Sequence, residues 1–134
     1  MVTQSSQRPV GKRPKPPAKA KSETLKVKLN EDQIREIAQK ISEDQKSYDD
    51  WIWLLAESEC RLGPACTSPT NNYRMGGLPS AVEIYPSKIV AQPAEEDIRQ
   101  LAWDISQVRP SVEDIHWFMA QRQLVFDAAQ EKLL

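Results

Sequence analysis

Thirty residues of this chain occur twice. The stretch from Glu31 to Cys60, EDQIREIAQKISEDQKSYDDWIWLLAESEC, returns without a gap 64 positions later as EEDIRQLAWDISQVRPSVEDIHWFMAQRQL, Glu95 to Leu124. Ten of the thirty aligned positions are identical: Glu31/Glu95, Ile34/Ile98, Arg35/Arg99, Ala38/Ala102, Ile41/Ile105, Ser42/Ser106, Ser47/Ser111, Asp50/Asp114, Trp53/Trp117 and Ala56/Ala120. Two unrelated amphipathic helices share an apolar period, but not a Trp, two Ser and an Arg in one register. A duplicated supersecondary unit is the reading, so the two copies are expected to fold alike.

Each copy reads as two helices. In the first, Asn30 is a good N-cap, and Gln33 stands where it would complete a capping box. Ile34, Ile37, Ala38 and Ile41 then recur at the spacing of one helix face. The polar stretch Ser42 to Lys46 interrupts this pattern. Ser47 and Asp50 cap a second helix through Trp51, Ile52, Leu54, Leu55 and Ala56, which Gly63-Pro64 ends. The second copy follows suit with Ile98, Leu101, Ala102 and Ile105, then Pro110 and the Ser111–Asp114 cap.

The expected fold is therefore mainly α: two tandem helical hairpins forming a pseudo-two-fold bundle, with two short strands. Its expected core is Ile34, Ala38, Ile41, Trp53 and Ala56, with Ile98, Ala102, Ile105, Trp117 and Ala120 as their equivalents. Arg35 and Arg99 are expected to pair with Asp50 and Asp114 across each hairpin. The strand reading rests on Thr24 to Leu29, which alternates polar and apolar residues. Ala81 to Tyr85 and Lys88 to Ala91, split by Pro86, also look extended, and the latter lies at the repeat offset from the first strand. The chain divides into a disordered basic arm (1–23), a first repeat (24–63), a linker or loop (64–87) and a second repeat with an extended C-terminal helix (88–134).

Charge enters because it is unevenly placed. The formal net charge of −1 splits at Asn30: eight basic residues stand against Glu23 alone before it, a net +7, and ten basic against eighteen acidic after it, a net −8. A basic arm on an acidic body follows. Arg8, Lys12, Arg13, Lys15, Lys19, Lys21, Lys26 and Lys28 are the candidate polyanion-binding residues, giving salt-sensitive attraction to phosphates. The arm has no aromatic residue for base stacking, and its low apolar content leaves nothing to offset ordering entropy. At the other end, Val125, Phe126, Ala129 and Leu133 continue an apolar face beyond what two hairpins obviously need. They are the candidate residues for a protein partner or for self-association.

The patterns of catalysis and metal binding are absent from the sequence. His116 is the only histidine, and it stands mid-helix where copy one has Ile52. The acidic pairs Asp49-Asp50, Glu95-Glu96-Asp97 and Glu113-Asp114 all fall at helix N-termini, where the helix dipole explains them. Cys60 and Cys66 fit neither zinc-ligand spacing nor a disulfide framework. A non-enzymatic protein without cofactor or metal is expected. No apolar segment follows the N-terminal charges, and Trp51 to Ala56 is far shorter than the roughly 20 residues that span a bilayer. The expectation is a cytoplasmic location without membrane contact.

Two resemblances bear on these residues. Through Ile34-Arg35, Ala38 and Trp53-x-x-Ala56-Glu57-x-Glu59, copy one resembles a short bacterial domain of unknown function with the pattern I-R-x-x-A followed by W-x-x-A-E-x-E. Copy two keeps Ile98-Arg99, Ala102 and Trp117-x-x-Ala120 but has Gln121 and Gln123 for the acids. That resemblance implies no activity. Residues 24–60 also resemble a ribbon-helix-helix unit, in which paired strands enter the DNA major groove. It implies that Thr24, Lys26 and Lys28 would read DNA. The functional expectation is an interaction or adaptor protein whose arm binds a polyanion, with a ribbon-helix-helix-like DNA-binding regulator as the alternative. Differences between the copies, Trp103 for Gln39, His116 for Ile52 and Gln121 for Glu57, mark where function would sit.

Overall fold

The computed structural model describes residues 23–67 and 77–133. Its elements, in order, are strand β1 (Leu25–Lys28), helices α1 (Glu31–Ser42) and α2 (Tyr48–Leu62), strand β2 (Ala81–Ile84), and helices α3 (Glu95–Val108) and α4 (Val112–Leu133). The protein is thus mainly helical with one short two-stranded sheet. The basic arm up to residue 22 lies outside the described residues.

The helix starts follow local chemistry. The Asn30 side chain accepts a hydrogen bond from the Gln33 amide at 3.1 Å, and Ser47 and Ser111 accept from the amides of Asp50 and Asp114 at 3.1 and 3.0 Å. Each satisfies one of the free amides at a helix start. Helix α3 ends on Arg109, whose φ of 58° is left-handed, and Pro110 then prevents continuation.

Packing runs between the two halves of the chain. Helix α1 lies against α4, α3 lies against α2, and α2 crosses α4, whereas α1 and α2 are joined in sequence without packing closely on each other. The hairpins are therefore open, a difference from two closed hairpins stacked together. The cause is the width of the apolar surface on α2, where Trp51, Ile52, Leu55, Ala56 and Leu62 are all buried. Such a helix needs two neighbours, and the narrow stripe of α1 is satisfied on α4.

Two apolar clusters result. One joins Ile34 of α1 to Ala120, Val125, Phe126 and Ala129 of α4 and to Val27, Val82 and Ile84 of the sheet. The other joins Trp51, Leu55 and Ala56 of α2 to Ile98, Leu101 and Ile105 of α3 and Ile115 of α4. Of the expected core, Ile34, Ala56, Ile98, Ile105 and Ala120 are buried. Ala38, Ile41, Ala102, Trp53 and Trp117 are only partly buried, packed at the cluster edges. The deepest Trp is Trp51, 3% exposed, because it rather than Trp53 shares a helix face with Leu55, Glu59 and Leu62.

The sheet departs from expectation in its partner. β1 pairs antiparallel with β2, Lys26 opposite Glu83 and Val27 opposite Val82, so a strand lies inside the segment read as linker. Lys88–Ala91 is not the partner: Pro86 opens a 3-10 turn through Lys88, and Val90 then exchanges hydrogen bonds with Arg61. The arginine pairing differs as well. Arg35 bridges Glu31 and Asp32, and Arg99 bridges Glu95 and Glu96, each within its own helix and exposed. Side chains three and four residues back on the same face are nearer than the next helix.

Candidate functional site

Among the described residues, three places carry polar or aromatic chemistry that packing alone does not require: the outer face of the sheet, the outer face of α3, and a polar group at the α2/α4 crossing.

On the sheet, strand alternation turns Val27 and Leu29 inward and leaves Lys26 and Lys28 exposed. Glu83 is exposed on the same face opposite Lys26, and accepts hydrogen bonds from Thr24 Oγ1 at 2.9 Å and Thr67 Oγ1 at 3.5 Å. The face is therefore mixed in charge, with its cations on β1 alone. Of the eight candidate polyanion-binding residues the structure places these two lysines. Arg8, Lys12, Arg13, Lys15, Lys19 and Lys21 lie outside the described residues.

On α3, Trp103 is 61% exposed. Glu96, Arg99, Gln100 and Trp103 line a shallow depression of about 390 Å³. Nearby in sequence, Val108 and Val112 are exposed around the α3–α4 turn, and the Tyr48 hydroxyl donates to the Pro110 carbonyl there.

At the α2/α4 crossing, Arg122 and Glu59 form a buried ion pair, 1% and 6% exposed in their side chains. Arg122 Nη2 and Nε lie 2.9 and 3.0 Å from Glu59 Oε1, and Nη1 donates to the Phe118 carbonyl at 3.0 Å. Burial lowers the guanidinium pKa, and Glu59 holds it up. Nearby, the Cys66 thiol is pushed up to about 11, chiefly by burial and then by Glu59, with the charge of Arg122 opposing. Such a thiol is a poor nucleophile near neutral pH. Cys60 and Cys66 form no disulfide. Glu59 and Cys60 form one wall of a cleft of about 590 Å³ whose other wall is the start of α3, with Asp97, Gln100 and Leu101.

The residues that differ between the copies separate into distinct roles. Trp103 faces outward. Gln121 is buried and grips the backbone of Leu78, accepting from its amide at 3.0 Å and donating to its carbonyl at 3.3 Å. His116 is buried with its ring edge-on to Trp51, centroids 4.5 Å apart, and its Nε2 has no hydrogen-bond partner among the described residues. Burial lowers its pKa, with Glu113 partly opposing.

The candidate partner-binding residues need correction. Val125, Phe126 and Ala129 are buried, at 0%, 8% and 2% exposed, and only Leu133 remains exposed. The apolar face of α4 is not surplus, because α1 and the sheet use it, and the Arg61 guanidinium covers the Phe126 ring at 4.4 Å.

Among the described residues no three metal-ligating side chains converge, and no helix is long and apolar enough to cross a membrane. The sequence reading missed the Glu59–Arg122 pair. Its signal was present: Glu59 falls on the buried stripe of α2 beside Leu55 and Leu62, where a lone carboxylate requires a cation. Comparison with protein-family models, curated proteins and solved structures finds no significant match for this chain.

Proposed function

We propose that the chain is a non-enzymatic interaction protein, a duplicated helical hairpin whose copies are related by a pseudo-two-fold, carrying a basic arm for a polyanion. The two-fold is supported by the packing. Under the offset of 64 residues α1 corresponds to α3 and α2 to α4, so the α1/α4 and α3/α2 contacts are equivalent pairs. Trp51 and Ile115, Ile52 and His116, Ala56 and Ala120, and Leu62 and Phe126 are buried at both members of each pair.

The observation that carries the interaction reading is Trp103, exposed on an otherwise polar helix face where copy one has Gln39. A Trp costs little order to dock and presents a large contact area, and it is enriched among residues that dominate binding energy. Three of the buried polar groups support a non-catalytic role, since Glu59, Arg122 and Gln121 are each committed to holding elements together. A cytoplasmic, reducing setting belongs to the same reading and fits two cysteines that form no disulfide. The test compares proteins captured by the full chain and by Trp103→Gln. A partner lost with the variant, at unchanged melting temperature, supports the reading; identical capture overturns it.

The ribbon-helix-helix alternative is favoured by one observation, the antiparallel β1/β2 ribbon with Lys26 and Lys28 on its open face. Against it stand Glu83 on that face and the acids Asp49, Asp50, Glu113 and Asp114 at the helix ends that would meet phosphate. A band-shift series on duplex DNA at about 50 and about 200 mM salt separates the two. Binding lost on deleting residues 1–22 but insensitive to Lys26→Ala and Lys28→Ala belongs to the arm. Sequence-specific binding lost with those lysines belongs to the ribbon.

A further inference from the structure

The two edges of the β1/β2 ribbon are unequal. The outer edge of β2 is covered: Thr67 donates its amide to the Glu83 carbonyl at 3.0 Å, Cys66 bridges to Ile84, and Tyr85 donates to the Ala65 carbonyl at 2.7 Å. Among the described residues the outer edge of β1 is not. Leu29 donates to the Ser80 carbonyl at 2.8 Å, which fixes the alternation: the backbone groups of Leu25, Val27 and Leu29 face β2, and those of Lys26 and Lys28 face away. Among the described residues nothing bonds those outward groups. Beside them runs a groove of about 400 Å³ between Leu25–Lys28 and the last turns of α4, where Ala128, Glu131 and Lys132 form the far wall.

An open edge flanked by a groove accepts an extended chain as an added strand. Charge decides which chain. Lys26 has Glu83 opposite it on the β2 side and Lys28 has Ala81, while across the groove stand Glu131 and Lys132, the latter bridging Glu23 at 3.6 Å. A second copy of β1, pairing antiparallel about Val27, would set Lys26 against Lys28 of its mate, like charges directly opposed. Residues 1–22 and 68–76 of the chain itself contain no Asp or Glu and several Lys and Arg. Charge disfavours a second β1 and the basic arm, and residues 68–76, with Arg74 as their one charge, offer no acid to meet the lysines.

We infer that the open edge of β1 binds an extended acidic segment of a partner protein as a third strand, acids opposite Lys26 and Lys28 and apolar residues turned toward Ala128. Glu131 on the groove wall disfavours acids at those inward positions, which selects an alternating acidic and apolar segment. This rests on the interaction reading above but uses a different surface from Trp103.

The probe is a fluorescein-labelled peptide, Ser-Val-Glu-Val-Glu-Val-Ser, with a counterpart carrying Lys for Glu, titrated with the full chain and followed by anisotropy. The acidic peptide is expected to bind saturably and the lysine peptide not. Lys28→Pro removes an amide that faces the groove and leaves the β2 ladder intact, since proline is tolerated at an open edge. It should weaken binding by about tenfold or more, against about two- to fivefold for Lys28→Ala, which loses the charge alone. Failure of the acidic peptide to bind, equal binding of both peptides, or Lys28→Pro within about twofold of the parent chain overturns the inference. That last result would assign the attraction to the basic arm. If circular dichroism shows Lys28→Pro misfolded, the double variant Lys26→Glu/Lys28→Glu decides, because preference should then pass to the lysine peptide and an unchanged preference overturns the site. Trp103→Gln should leave peptide binding unaltered. Loss of the peptide result alongside a Trp103-dependent partner removes this site and leaves the interaction reading; the converse removes Trp103 as its surface.

Discussion

Glu59 and Arg122 illustrate how a single charge changes meaning with its surroundings. In sequence Glu59 closes the W-x-x-A-E-x-E pattern and would pass for a surface acid. In the fold it is buried and forms an ion pair with the buried Arg122. Removing one partner leaves the other charged and buried, so Glu59→Ala should cost about 3–5 kcal/mol in urea unfolding, whereas the double replacement Glu59→Leu/Arg122→Met should cost much less. His116 belongs to the same scale. Its folded-state pKa lies below the ordinary histidine value, so the unfolded chain binds a proton first as pH falls. Stability should therefore be lost as pH drops below about 6.5 toward the lower folded value. Urea titrations at about pH 7.5 and about pH 5 should show a larger loss for the parent chain than for His116→Ile, which installs the residue of copy one.

At the scale of the element, burial rather than identity between copies ranks the tryptophans. Trp53 and Trp117 are the pair the copies share, yet both sit at cluster edges. Trp51, whose counterpart is Ile115, is 3% exposed. Trp51→Ala should cost about 3–5 kcal/mol and Trp53→Ala distinctly less, measured by the shift of the urea midpoint at constant slope. A larger cost at Trp53 would mean that its outer face is covered. The helices themselves were legible, because caps and a 3.6-residue period are local: Asn30, Ser47 and Ser111 all cap where the pattern places them. The strand partner was not, because pairing Lys26 with Glu83 depends on where a long connection returns.

For the molecule as a whole, packing between the N-terminal and C-terminal halves sets the cooperativity. Helix α1 finds its partner in α4, and α2 in α3, so neither half contains its own core. Fragments 23–67 and 77–133 should each show little helix by circular dichroism at about 10 µM and regain it when mixed, since helices of this length need a partner. A fragment that folds alone would place closed hairpins back in contention. Of the candidate site, the sequence alone determined the basic composition before Asn30, the helices and their caps, and it singled out Trp103, His116 and Gln121, since charge, periodicity and the recurring pattern need no third dimension. Only the tertiary structure decided which of those face solvent. Trp103 emerged exposed, His116 and Gln121 were enclosed, and the apolar end of α4 was taken up by α1 and the sheet. Burial depends on which helix lies across which, and that choice follows from the breadth of each apolar face and the crossings it permits rather than from the residues along one strand or helix.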